Sequence, residues 1–338
     1  MSETSIIKKF WRKNSPIFLW QISGNFPSNP FFKPTDPWIG NKVRGQDLFL
    51  KHPSSFSEEY WHNFDWIRDL KESKHNNYRK RARELYTNWF SKNYRWNEKS
   101  WSPSILSNRL INILLCYSSF AETGDDEFQD NLMDFFAKQS RCLEIDCERI
   151  KNIQEKFICL CGLVAGRIGL TQIEDEIKII LEQVIQNSSM LINPDGMHIS
   201  RQPQKHFQVL KKLIEVRNIS SNFIISYREK LNFIINKMII SGKIIRHSNG
   251  MIADFNNGCN YESFLIEQIF NKVNSSSVYN KFSNDGYINI KTKNSNLIFD
   301  CGNPVINWNN FHSGTLAFEF CYLKQMIIIN CGSNINNK

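Results

Sequence analysis

The spacing of apolar residues changes once along this chain, and that change constrains the fold more than any other feature. From about residue 57 to 243, apolar side chains recur three and four positions apart. Tyr78, Ala82, Leu85 and Trp89 fall on one helical face, as do Leu106, Leu110 and Leu114. The periodicity predicts helices near 76–93, from Pro103 onward, and near 126–141, 148–169, 172–192, 203–217 and 222–243. Ser57, ahead of Glu58-Glu59-Tyr60, is the expected cap of the first of them. After about residue 245 the period falls to two. Tyr287–Ile290, Asn296–Asp300, Thr315–Phe320 and Gln325–Asn330 read as strands separated by turn residues. Helices followed by strands predict an α+β multidomain chain, in which helix pairs stack into a solenoid or ring ahead of a small antiparallel sheet. A Pro-, Gly-, Asn- and Ser-rich stretch occupies 22–56. The chain thus reads as a lead-in arm (1–56), a helical domain (57–245) and a β domain (246–338).

Charge is the second constraint. Residues 1–110 hold 19 Lys/Arg against 10 Asp/Glu, and this is the whole of the net charge of +9. Such a segment attracts polyanions: nucleic acid, anionic lipid or acidic polysaccharide. No nucleic-acid motif accompanies it, so nucleic acid is not an expected partner. No run of 18 apolar residues exists, so no transmembrane segment is expected. Met1–Phe10 lacks the apolar core of a signal peptide, and Pro16–Trp20 is too short to supply one. The sequence by itself therefore reads as cytoplasmic. The nine cysteines are odd in number and form no CxxC pair, which fits buried thiols in a reducing compartment.

Three residue groups are candidates for chemistry. The first, Pro194-Asp195-Gly196-Met197-His198-Ile199-Ser200-Arg201-Gln202-Pro203, joins two predicted helices. His198 is a candidate for proton transfer, and Arg201 for gripping a carboxylate or sulfate. The same residues also read as a helix start, with Ser200 as cap and Pro203 in the first turn. The second, from Arg246-His247-Ser248-Asn249-Gly250 to Asp254-Phe255-Asn256, marks the helix-to-strand junction. The third comprises Asp300-Cys301-Gly302, then His312-Ser313-Gly314 to Phe318-Glu319, and Asn330-Cys331-Gly332. Asp300 and His312 are candidate ligands of a divalent metal such as zinc, although two ligands are an incomplete site.

Together these groups resemble the heparinase II/III-like family of bacterial polysaccharide lyases. The resemblance rests on Asp195, Gly196, His198, Ser200, Arg201 and Pro203 in the loop. At the junction it rests on Arg246, His247, Gly250, Ala253, Phe255 and Asn256. In the strands it rests on His312, Gly314, Leu316, Phe318, Glu319, Asn330, Cys331 and Gly332. Phe64-Asp65-Trp66-Ile67-Arg68-Asp69-Leu70 also looks like the family's early helices. Met197 and Gln202 depart from the family's Gly and Asn, and Ser248 and Asn249 from its Gly and Asp.

The resemblance implies an incomplete α/α-toroid followed by an antiparallel β-sandwich, and β-elimination at a uronic acid in an acidic polysaccharide. Under that reading His198 serves as base or charge neutraliser, Arg201 acts with it, and His247 assists. Gln202, Asp195 and Asn256 bind substrate. A family-type tyrosine is missing from the matched motifs, and Tyr261 and Tyr287 are the nearest substitutes. Zinc on Asp300 and His312 lacks the further histidine expected near 275–279. Family members continue past the Asn-Cys-Gly strand, so the β domain reads as truncated. That would leave an open sheet edge at Met326–Ile329 suited to self-association. The family also suggests a cell-envelope or periplasmic setting. The alternative is a non-catalytic carbohydrate-binding protein, or a remnant of the same family.

Overall fold

The period-3.6 region is helical in a computed structural model of the chain, which describes residues 3–223, 225–256, 263–272, 286–302 and 316–330. Two short helices lead, α1 (Glu3–Lys13) and α2 (Pro16–Ile22), then α3 (Lys42–Asp47). Next come α4 (Glu58–Asn63), α5 (Trp66–Glu72), α6 (Tyr78–Asn93) and α7 (Pro103–Phe120). Longer helices follow: α8 (Asp126–Cys147), α9 (Ile153–Leu170), α10 (Glu174–Leu191), α11 (Pro203–Ile219) and α12 (Ile225–Ile244). A last one, α13 (Ser263–Asn271), precedes the strands. Local chemistry sets the starts. The Ser57 hydroxyl accepts the Tyr60 N–H at 2.9 Å, the Asp125 carboxylate that of Phe128 at 2.8 Å, and the Asn152 amide oxygen that of Glu155 at 3.0 Å.

The segment read as an arm contains α1, α2 and α3. α1 has too few turns to stand out by period, and α2 is fixed by a Ser15 cap and Pro16 in its first turn. α13 lies in the stretch assigned to the β domain. Its Ile266, Ile269 and Phe270, at helical spacing, are buried, whereas Phe264 is exposed.

The chain packs as two compact units, Met1–Asn187 with Glu215–Ile225, and Ser188–Ile214 with Ser226–Lys338. Packing thus divides the chain within its helical part, whereas helix gives way to strand beyond α13. In the first unit α7 and α9 approach closely because Gly162 stands where a Cβ would come within 2.5 Å of Ser107. Its core is aromatic, with Trp61, Phe64, Trp66 and Trp89 in contact. Arg109 is buried among them, 4.5 Å over the Trp89 ring. Its guanidinium donates to the carbonyls of His62 and Ser100 and to Gln139 Oε1, each at 2.8 Å. Burial pushes its pKa down to about 9.

The second unit carries the sheet. β1 (Tyr287–Lys291), β2 (Ser295–Asp300), β3 (Phe318–Tyr322) and β4 (Gln325–Ile328) pair antiparallel in chain order. The register sets Asn289 opposite Ile298, and Leu297 opposite Phe320. Alternation along β2 buries Asn296, Ile298 and Asp300, and along β3 it buries Glu319 and Cys321. The inward face of these strands is therefore largely polar, and it needs polar partners. At the far edge Ile327, Ile328 and Ile329 are exposed.

Candidate functional site

Two tight turns of the second unit supply those partners. The first follows α10. Asn193 and Met197 close it through an N–H to carbonyl bond of 2.9 Å, and the Asn193 amide oxygen accepts the N–H groups of Gly196 and Met197. Gly196 has φ of 104°, and a Cβ there would come within 2.5 Å of the Lys237 carbonyl, so the position requires glycine. The second turn follows α12 and repeats the design. The N–H of His247 bonds the carbonyl of Met251 at 2.8 Å, around Gly250. Asp195 sits half-exposed at the tip of the first turn.

Past the first turn lies His198, fully buried. Its Nδ1 lies 2.8 Å from the Ser200 hydroxyl and accepts the Ser200 N–H at 3.1 Å. Burial, with Coulomb repulsion from His206 and Lys205, pushes the His198 pKa down to about 3. The imidazole is therefore neutral at physiological pH. Ser200 also accepts the Gln202 N–H at 3.3 Å, and Pro203 is the first residue of α11. The helix-start reading and the motif reading thus describe one structure. Gln202 is buried, with its carbonyl taken by the His206 N–H.

Arg201 has φ of 54°, which aims its side chain at the sheet face. Its guanidinium donates to Asp300 Oδ1 and lies 5.1 Å over the Tyr287 ring. The Arg201 carbonyl accepts the Tyr287 hydroxyl at 2.5 Å. The Asn256 amide donates to that hydroxyl at 2.7 Å and to Asp300 Oδ2 at 2.9 Å. Gly302 completes the cluster, since a Cβ there would fall within 2.3 Å of the guanidinium carbon. Arg201, Asn256, Tyr287 and Asp300 thus form one network on the end of β1 and β2.

His247 is the centre of a second network. Its Nε2 is 2.7 Å from Glu319 Oε2, and its Nδ1 is 3.2 Å from Asn296 Oδ1. Glu319 Oε1 accepts the backbone N–H groups of Asp254 and Asn330, each at 3.1 Å. The amide of Asn296 donates to Asn289 at 2.5 Å, and that of Asn289 to the Ile244 carbonyl at 2.7 Å. Burial, with repulsion from Glu319, raises the Asp254 pKa.

Two groups that the sequence reading passed over begin α11. His206 is buried, with Nε2 donating to the Met238 carbonyl at 3.0 Å, and burial pushes its pKa down to about 4. Lys205 is half-buried, and desolvation lowers its pKa. Their signal was position, since both lie within one turn of the helix that the motif loop starts. Glu319 and Asn296 were also given no role, although strand parity places both on the buried face.

A metal ion does not fit Asp300. A guanidinium already occupies one carboxylate oxygen, and its charge would repel a cation. Among the described residues no cluster of three His, Cys, Asp or Glu groups is spaced to hold a metal. His312 and Tyr261 lie outside the described residues. Among the described residues no helix is long and apolar enough to cross a membrane.

Comparison with known proteins agrees with this architecture. Residues 275–338 match the family model described as Heparinase II/III-like, C-terminal. FtsZ-localized protein C of Caulobacter vibrioides is 24% identical over 328 residues, covering 90% of this chain and 56% of the relative. The chain therefore spans little more than half the length of that curated relative. The crystal structure of heparinase III matches 97% of this chain and 65% of its own, with TM-score 0.60 and 14% identity. Heparan sulfate lyase HepC from Pedobacter heparinus matches 81% of this chain and 49% of its own, with TM-score 0.54 and 12% identity. The fold is thus that of the heparinases, a helical toroid-type domain followed by antiparallel β structure. With its loop, junction and strand motifs in order and residues 275–338 matched, the chain is similar to the heparinase II/III-like family.

Proposed function

We propose that the chain is a polysaccharide lyase directed at a uronic-acid-containing acidic polysaccharide, which it cleaves by β-elimination. The observation that carries this reading is the start of α11, where half-buried Lys205 lies close enough to buried, neutral His198 for its charge to lower the imidazole's pKa. Elimination next to a carboxylate requires a cation or donor on the carboxylate, a base for the carbon-bound proton and an acid for the leaving oxygen. A lysine with a lowered pKa suits the base or the neutralising cation. Neutral His198 suits positioning through Ser200. Half-exposed Asp195 and Asn256 are placed to meet sugar hydroxyls. Arg201, Asp300, His247 and Glu319 hold the turns against the sheet, because their polar atoms serve one another.

A second reading, glycan binding without turnover, is favoured by the burial of His198, Arg201, Gln202 and His247. It also suits the name of the curated relative, which describes where that protein localises rather than a reaction. One assay separates the two. Elimination creates an unsaturated uronate that absorbs in the ultraviolet. Heparan sulfate, hyaluronan, chondroitin and alginate are offered to the protein, and both absorbance and retention on immobilised glycan are read. Absorbance that grows with time supports the lyase. Retention with flat absorbance supports binding alone. Neither signal removes acidic glycans from the account.

A further inference from the structure

We propose that α1 and α2 form a platform that docks the protein on the surface of an anionic lipid bilayer. The inference uses the first unit alone and does not depend on any reaction. α1 is amphipathic in the reverse of the usual sense. Two of its lysines face the protein: buried Lys13 pairs with Asp146 at 2.7 Å and lies 4.3 Å over the Phe18 ring, and Lys9 pairs with Glu98 at 3.5 Å. The stripe Ile7, Phe10 and Trp11, at positions i, i+3 and i+4, faces water, with Trp11 71% exposed. α2 continues the pattern. Phe18 and Ile22 anchor it inward, while Ile17 and Trp20 point out, 73% and 77% exposed.

These helices are held firmly. The Asn14 amide donates to the Trp96 carbonyl at 3.0 Å, and Phe10 packs edge-on against the Trp96 ring. Arg141 donates to the carbonyls of Ile22 at 3.1 Å and Asn25 at 2.5 Å. The exposed aromatics are therefore presented by a fixed scaffold. A water-facing group of Trp, Ile and Phe side chains marks an interaction surface.

Charge decides the occupant. Arg12 is exposed beside Trp11, and Arg95 is exposed next to Trp96. The whole net charge of +9 lies in residues 1–110. Tryptophans with basic neighbours on short amphipathic helices suit a headgroup boundary, where the ring is half-immersed and the cations meet anionic lipid. A second copy of the chain would bring these same cations together, which disfavours self-pairing on this face. At 11 and 7 residues, α1 and α2 are too short to span the bilayer and would lie in its surface.

The test is sedimentation of the full chain with vesicles of phosphatidylcholine mixed with phosphatidylglycerol, against phosphatidylcholine alone. The expected result is binding to the mixed vesicles that weakens as salt is raised. Replacing both Trp11→Ser and Trp20→Ser should weaken it at least about tenfold, since each ring buries enough apolar area for that factor. Arg12→Glu, an exposed change that removes no packing, should weaken it too. Both variants should keep the wild-type melting temperature. Absence from anionic vesicles, or binding indifferent to all these changes, overturns the proposal. So does a dimer in solution that the double variant abolishes, because the stripe is then a protein interface. Glycan turnover is measured separately, so failure here leaves the lyase reading standing.

Discussion

The first two helices and the turn-and-sheet region of the second unit sort their side chains in opposite ways. α1 keeps Lys13 inside, and α1 and α2 keep Trp11 and Trp20 outside. The turns at 193–203 and 245–256 keep His, Arg, Asp and Glu inside, on a sheet face that strand parity makes polar. Each arrangement violates the simple rule of apolar core and polar surface, but with different consequences. A buried charge paired with an opposite one is scaffold, because a substrate cannot touch it and its loss is felt as instability. An exposed aromatic that touches no more than a neighbour on its own helix, as Trp11 touches Phe10, costs little to remove and matters mainly to something that binds there. The comparison predicts that substitutions in the two regions will separate stability from binding.

The largest effect should come from Asp300→Ala, which strands the Arg201 guanidinium in a buried site. We expect a loss of about 3–5 kcal/mol in urea unfolding. The paired change Arg201→Met with Asp300→Leu should recover most of it, and an unchanged midpoint in the single variant would break the scaffold assignment. Glu319→Gln comes next. It removes the charge opposite His247 and weakens the acceptor of two backbone N–H groups, at an expected cost of about 1–3 kcal/mol.

The pH dependence has a definite sign. His198 and His206 have folded-state pKa values of about 3 and about 4, below the ordinary value of 6.5. Below pH 6.5 the unfolded chain therefore binds more protons than the folded one. Stability is fully present above that pH and falls as pH drops toward the folded values, at up to about 1.4 kcal/mol per pH unit for each group. His206→Leu should roughly halve that slope in denaturation measured at pH 6 and pH 5. The smallest stability effect belongs to Trp11→Ser with Trp20→Ser, expected within about 0.5 kcal/mol of wild type. A large destabilisation there would mean that these rings support the fold as well as the surface.

Much of the fold was legible because it rests on local periodicity. The helices from α6 to α12 and all four strands fall close to where spacing places them, since burial on one face forces a period of 3.6 or 2. The matched motifs were equally visible, and the structure gives physical reasons for them: Gly196 under the Lys237 carbonyl, Gly302 under a guanidinium, Asp300 against Arg201. Partnership was not visible. Arg201 was read as a substrate clamp and Asp300 as a metal ligand because residue type reports what a group can do, and only tertiary placement shows what it already does. His247 was singled out, but its partner Glu319 lies 72 residues away. The outward face of α1 was hidden too, because an apolar stripe in sequence does not say which way it points.

The central functional claim is that chemistry sits at the start of α11 while the charged pairs around it are scaffold. The most direct measurement is the rate of ultraviolet absorbance gain on the best acidic glycan, compared between the wild type and Lys205→Met. The account predicts product from the wild type, with the variant slowed at least about a hundredfold, as for loss of an acid–base group, at unchanged melting temperature. Equal rates in the two proteins, or a glycan that is retained but never cleaved by the wild type, would contradict it.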